Sequence, residues 1–341
     1  MLRYRFRRAS VLAFAAALGA VPSAMAADSA TPYQGARINV IIGTGSGGGY
    51  AAVTQLLQRY MVAHIPGKPA LILQFMPGAG GVKAANYLYN VAPRDGNTIG
   101  MLTDSLVLAQ LMQGGIRYDG AKFGAIGRMM KSVDVFAVMQ RTKADTLDKA
   151  RGMTLSVGAS AKDSVSYMNA MLMNTLLGYK LKPVLGYPGV QQMLLAMEKG
   201  ELDGYVWSWP TIKDTRQAWL KDGTMKVLAQ VGLERADSLR DVPLMQELAK
   251  SADDRAILEF MAAKVSIGRS YTTPPGFPKV QLAQLRDAFM KTMSDKAFLA
   301  DADKHKLELE PLDGASLQAV ITKALATPPA LVGRMKKLIG L

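Results

Sequence analysis

Two glycine-rich turns are the parts of this chain best placed to do chemistry, and they would do it with backbone rather than side chains. In INVIIGTGSGGGY, residues 38–50, a strand-like run enters Gly43-Thr44-Gly45-Ser46-Gly47-Gly48, which satisfies G-x-G-x-x-G, and helical spacing follows. In LILQFMPGAGGVKAANYL, residues 71–88, Pro77-Gly78-Ala79-Gly80-Gly81 again joins a strand end to a helix start. Such turns aim several N–H groups and the positive end of a helix dipole at one point, so they hold an anion without a charged side chain. The same glycines could instead serve only tight turns and close helix packing.

A dinucleotide would ask for more. The strand after the first turn should end in an acidic residue about 20 residues on, to accept the ribose hydroxyls. That strand ends near Gln74, and no Asp or Glu occurs between Asp28 and Asp95. A P-loop is excluded more firmly, because no Gly-Lys-Ser or Gly-Lys-Thr follows the turn. Composition closes other routes. Without cysteine there is no disulfide, thiolate ligand or cysteine nucleophile, and His64 and His305 alone supply neither a histidine-rich metal site nor a histidine-based triad. No catalytic residue, metal ligand or cofactor is expected.

Both turns need a strand before them and a helix after them, and the chain pattern supplies these. Strand-like and helix-like segments alternate over 38–42, 50–64, 70–76, 83–91 and 97–102, a βαβαβ order that implies a parallel sheet with helices on its faces. After a Gly-rich connection at 114–127 the pattern restarts. Strands are expected at 133–139, 153–157, 181–185, 204–207 and 225–231, with helices at 164–177, 190–199 and 211–221. From Val242 onward the pattern is mainly helical. In a parallel sheet both glycine turns fall at the carboxyl edge, where open α/β folds bind ligands.

The 341 residues suit two domains at about 150 residues each. The expected division is a leader at 1–26, one lobe from 27–130 and 230–341, and a second from 131–229. The leader reads as an export signal: Arg3, Arg5, Arg7 and Arg8, an apolar run from Val11 to Ala20, then Ala24-Met25-Ala26. Losing those four arginines takes the formal net charge from +14 to +10, a surplus that favours anionic partners. The basic residues are dispersed, apart from Arg334, Lys336 and Lys337, and nothing interleaves them with aromatics as a nucleic-acid surface would.

The segments INVIIGTGSGGGY, FMPGAGGVKAANYLYNVAPRDGNTIGML, GYPGVQQMLLAMEKGELDGY and DVPLMQEL resemble, in that order, the periplasmic solute receptors of tripartite tricarboxylate transporters, the Bug receptors. The resemblance implies a type II periplasmic-binding-protein architecture, α/β, with two lobes around a hinge and a ligand cleft between them. It implies a small organic carboxylate held largely by backbone N–H groups and water, then delivered to membrane permease subunits. A periplasmic monomer is expected. A sensor reporting ligand to a membrane signalling partner, or an exported oxidoreductase with a dinucleotide in the first turn, is the alternative.

Carried over position by position, the first turn supplies Gly45, Ser46, Gly47, Gly48, Gly49 and Tyr50, and the second Gly78, Ala79, Gly80 and Gly81. Thr103 and Ser105 flank Asp104 at the third strand end, as ligand donors or as helix caps. The second lobe offers Gly158, Ala159 and Ser160, whose N–H groups would close on the ligand, then Tyr187 and Gly189 before a helix. Trp207 and Ser208 end a strand, where an indole would cover the site or pack in the core. One departure stands out. Similar receptors usually carry Asp and Arg four residues apart at the start of the first helix, where this chain has Ala51 and Gln55.

Overall fold

The computed structural model describes residues 32–341, so the expected leader at 1–26 lies outside the described residues. The first run of elements is β1 (Arg37–Ile42), α1 (Gly49–His64), β2 (Ala70–Phe75), α2 (Val82–Asn90), β3 (Thr98–Met101), α3 (Leu106–Met112) and β4 (Gly124–Met130). The second is β5 (Asp134–Met139), α4 (Leu147–Gly152), β6 (Thr154–Gly158), α5 (Val165–Leu177), β7 (Lys180–Val184), α6 (Val190–Glu198), β8 (Gly204–Ser208), α7 (Trp209–Thr215), α8 (Gln217–Lys221) and β9 (Met225–Val231). The remainder comprises α9 (Ala252–Ala262), α10 (Lys264–Ile267), β10 (Arg269–Thr273), α11 (Lys279–Met293), α12 (Lys296–Lys304), β11 (Leu312–Asp313), α13 (Gly314–Leu325) and α14 (Pro329–Ile339).

Local chemistry sets many of these boundaries. The Ser164 hydroxyl accepts from the Tyr167 N–H to start α5, and Gly178 in the left-handed region ends it. Asp295 and Asp313 cap α12 and α13 through two N–H groups each. At the end of α1, Ile65 adopts an extended backbone ahead of Pro66-Gly67.

Two sheets result. One has the order β11-β4-β10-β3-β1-β2 and the other β7-β6-β8-β5-β9. In each, three consecutive strands are mutually parallel with the first of the three in second place, and an antiparallel strand follows the third: β10 beside β3, β5 beside β8. Helix α1 covers the first sheet with α11 and α12, burying Val53, Leu57 and Met61 against Ile38, Val40, Leu285 and Phe289. The second sheet buries Phe136, Val157 and Val206 against α5 on one face, and Val135 and Tyr205 against α6 and α7 on the other. Many of the methionines lie in these cores as filler.

Residues 230–341 are divided between the sheets. Ile257, Leu258 and Met261 of α9, and Val332, Met335 and Ile339 of α14, join the core of the second sheet, whereas α10 and β10 lead the chain back to the first. Strand β4 lies where the pattern reads a Gly-rich connection, and β10 where it reads helix. Both are buried on both faces, so neither shows alternation. Gly127 in β4 admits the Phe289 ring directly onto the backbone.

The chain crosses between the lobes at 131–133, again through α10, where the Ser132 N–H donates to Val265 O at 3.4 Å, and a third time between α13 and α14. Gly268 makes the second crossing possible. Its φ of +53° suits glycine, and a Cβ there would overlap the Met130 carbonyl oxygen. Gly268→Ala should therefore cost about 2–4 kcal/mol of stability in urea unfolding. A loss below about 0.5 kcal/mol would show that this crossing is not constrained.

Candidate functional site

Parallel register brings the first three strand ends to one edge, with Ile42 opposite both Phe75 and Met101. The turns that leave them touch. A Cβ on Gly43 would lie 3.5 Å from Gly81 Cα and 3.6 Å from Thr103 Cγ2. Gly78, Ala79, Gly80 and Gly81 all have positive φ, and a Cβ on Gly81 would lie 2.6 Å from the Thr103 hydroxyl oxygen. That hydroxyl donates to Gly80 O at 3.0 Å and accepts from the Ser105 hydroxyl at 3.1 Å. Thr103 and Ser105 thus fix the shape of the second turn. Gly45, Gly47, Gly48 and Gly80 face open space, and Ser46 is exposed beside them.

Helix α1 begins at this edge with Gly48 as its N-cap, no side-chain capping bond and no acidic residue in its first turn. Its leading N–H groups and dipole therefore present positive potential that no side-chain carboxylate of the helix offsets. Tyr50 is fixed at both ends. Its hydroxyl accepts from the Asp104 N–H at 3.2 Å, and the Arg269 guanidinium carbon lies 5.3 Å from its ring centre. Burial, reinforced by the Asp104 charge, keeps the Tyr50 phenol protonated far above its ordinary range. Ala51 is buried and Gln55 exposed.

The second-lobe candidates divide. The Ala159 N–H, expected to point at ligand, donates to Val184 O at 2.9 Å. Gly158 serves close packing: a Cβ would lie 2.8 Å from both Met193 and Leu202. Ser160 is half-buried and its carbonyl accepts from the Gly186 N–H at 3.2 Å. Tyr187 and Trp207 pack, half-buried, against the core that contains Met193 and Trp209. Gly189 is the N-cap of α6, without a side-chain bond. The Ser208 hydroxyl is shared with Thr211 at 3.0 Å. The structure thus joins the three first-lobe turns at one edge and gathers the second-lobe residues around β6 to β8.

Between these sets lies a buried ionic cluster. The Lys264 ammonium of α10 sits 2.8 Å from Asp134 of β5 and 3.4 Å from Asp104, which follows β3. All three side chains are at least 90 % buried, and the Asn169 amide of α5 donates to the same Asp134 oxygen at 3.1 Å. Burial pushes Asp134 up to about 6 against the pull of Lys264, and the nearby Asp104 charge adds to the rise. Burial alone would lower the Lys264 ammonium, but the two carboxylates outweigh it and raise the group above its ordinary range. Elsewhere at the junction, a depression lined by Lys131, Trp209, Lys213, Asp214 and Glu308 includes none of the glycine-turn residues, and its Lys213 pairs with Glu308 at 2.8 Å.

The profile of the Tripartite tricarboxylate transporter family receptor (TctC) matches residues 57–335. The chain belongs to this receptor family. The matched span begins after the first glycine turn and includes the second. No curated protein matches the receptor by sequence. Among solved structures, periplasmic binding protein BugD is similar at 17% identity, with 89% of this chain and 97% of that one covered and a TM-score of 0.69. Rpa4515 of R. palustris with adipate is similar at 18%, covering 89% and 97%, TM-score 0.69. MatC (Rpa3494) from Rhodopseudomonas palustris with bound malate gives 18%, 89% and 99%, TM-score 0.66. These likenesses establish the two-lobe α/β fold of the receptor.

Sequence reasoning does not single out Arg269, Lys264, Asp104 or Asp134, because their partners are distant in sequence and only the crossings assemble them. The nearest signal is Asp104 itself, flanked by Thr103 and Ser105. The cluster makes stability depend on pH. An acid whose folded pKa is raised holds its proton more tightly folded than unfolded, so its contribution is complete below its ordinary 3.8 and is lost as pH rises towards about 6. Urea unfolding of the receptor should show this decline between about pH 4 and 6, and Asp134→Asn should flatten it. An identical slope in the variant would exclude Asp134 as its source.

Proposed function

We propose that this receptor is exported to the periplasm, captures a small organic carboxylate between its lobes by hinge closure, and delivers it to the membrane permease subunits of a tripartite transporter. The observation that carries this reading is the union of two open glycine turns with the uncapped N-terminus of α1, an arrangement that offers N–H donors and positive potential to an anion. Adipate and malate, bound by Rpa4515 and MatC, set the ligand class to test first. The leader at 1–26 supports export, and no helix among the described residues is long and apolar enough to cross a membrane. The dinucleotide alternative gains nothing from β2, because the Gln74 amide there donates to Asn39 at 3.1 Å and no carboxylate is present to take ribose hydroxyls.

Thermal and urea unfolding of the purified receptor with malate, adipate, citrate, NAD and NADP tests the reading. A carboxylate at about 100 times its dissociation constant should add about 2.7 kcal/mol, and the nucleotides should add nothing. Stabilisation by a nucleotide alone would overturn it. Gly80→Val places a branched side chain at φ +62° with space around it, so the strain stays local. Carboxylate binding should fall at least tenfold, roughly, while global stability drops by no more than about 2 kcal/mol. Unchanged affinity would remove the second turn from the site.

A further inference from the structure

Arg269 opens β10, which runs antiparallel to β3 with Thr272 opposite Gly100. Its first residue therefore stands at the carboxyl edge of β1 to β3, the edge that carries both glycine turns. The side chain is 1% exposed. Its Nη1 donates to Gly49 O at 3.0 Å, its plane is held over Tyr50, and its Nε is buried without a partner. No carboxylate among the described residues comes within ion-pairing distance; Asp214 of α7 feels the charge from farther away. Helix α7 lies alongside α1, so the guanidinium sits where the second lobe meets the first.

Two sources of positive potential thus converge, and no carboxylate among the described residues pairs directly with the guanidinium. The guanidinium is pressed against the first turn of α1, where the dipole and free N–H groups are already positive and no acidic residue is present. Burying an unpaired cation at the positive end of a helix is unfavourable in itself. Gly49 makes the approach possible: its backbone is helical, and a Cβ there would lie 2.5 Å from Nη2. We propose that Arg269 is the charged ligand contact of this receptor, a guanidinium preorganised by Tyr50 and Gly49 to ion-pair with a ligand carboxylate at the N-terminus of α1, so that an anionic group there is obligatory. The assignment rests on the carboxylate reading above and adds to it a specific side chain and a demand for charge. It separates two jobs: the glycine turns supply shape and N–H donors, while Arg269 supplies the charge that distinguishes a carboxylate from its amide.

Calorimetric titration of wild type, Arg269→Gln, Arg269→Lys and Gly49→Ala with malate, adipate and adipamide tests this, alongside melts of the ligand-free proteins. Wild type should bind at least one dicarboxylate and not adipamide. Arg269→Gln should lose about tenfold or more in affinity, and Arg269→Lys should retain part of it, since the ammonium keeps the charge but not the fork. Gly49→Ala should lose affinity by displacing the guanidinium while leaving α1 folded. Ligand-free Arg269→Gln should melt at or above the wild-type temperature, because an unpaired buried charge has been removed. Affinity within twofold of wild type in both Arg269→Gln and Gly49→Ala, with a lower melting temperature for Arg269→Gln, would make Arg269 a packing residue and overturn the assignment. If Arg269→Gln does not fold, Arg269→Lys and Gly49→Ala decide by the same criterion. Wild type binding neither dicarboxylate overturns the carboxylate reading first, a result visible before any variant is compared.

Discussion

The ammonium of Lys264, held between Asp104 of one lobe and Asp134 of the other, is the contact on which the rest of this molecule depends. Three ionic groups lie out of water at the crossing between two sheets, and each would be costly there alone. Together they offset one another's charge, with Asp134 Oδ1 left buried and unpartnered, at a place where apolar packing could join the lobes but could not fix their register. Asp104 also turns its backbone N–H to the Tyr50 hydroxyl, and Tyr50 in turn lies under Arg269. A continuous set of polar contacts therefore runs from the hinge to the first turn of α1, linking lobe geometry to the edge where the glycine turns meet.

The glycine turns show how one pattern serves different chemistry. G-x-G-x-x-G is a statement about backbone: a tight turn, close approach and a helix start. What it binds is decided by what stands opposite. Here β2 offers Gln74 rather than a carboxylate, a second glycine turn closes over the first, and Thr103 locks that turn through Gly80 O.

Legibility in the sequence followed locality. The βαβαβ runs could be read because each depends on hydrophobic spacing within about 30 residues and on turn residues that punctuate it. Strands β4 and β10 could not, since GAIGRMM and RSYTT are buried on both faces and their glycines, arginines and threonines are explained only by distant neighbours: Phe289 at Gly127, Met130 at Gly268, Gly49 at Arg269. The turns of the first lobe were legible for the same local reason. In the second lobe a strand end followed by small residues resembled a donor turn, but Val184 takes the Ala159 N–H and Met193 takes the space at Gly158. No local pattern distinguishes a free N–H from one that a neighbouring strand consumes.

The place of β10, inserted between β3 and β4, has a consequence for how the molecule is built. The second sheet is made from one contiguous stretch, β5 to β9, with Asp134 paired to both Ser208 and Val231. The first sheet has a gap until residues 269–273 arrive, about 140 residues after β4 leaves the ribosome, and closing so long a loop is slow. All strands of the second sheet are thus present before β10 can close the first, while α14, which joins the second core, comes later still. The strand that fills the gap carries Arg269 at its head, so this guanidinium follows both glycine turns in order of synthesis. An incomplete first lobe would display glycine turns but would lack the cation beside them, and a half-built receptor would compete poorly for ligand.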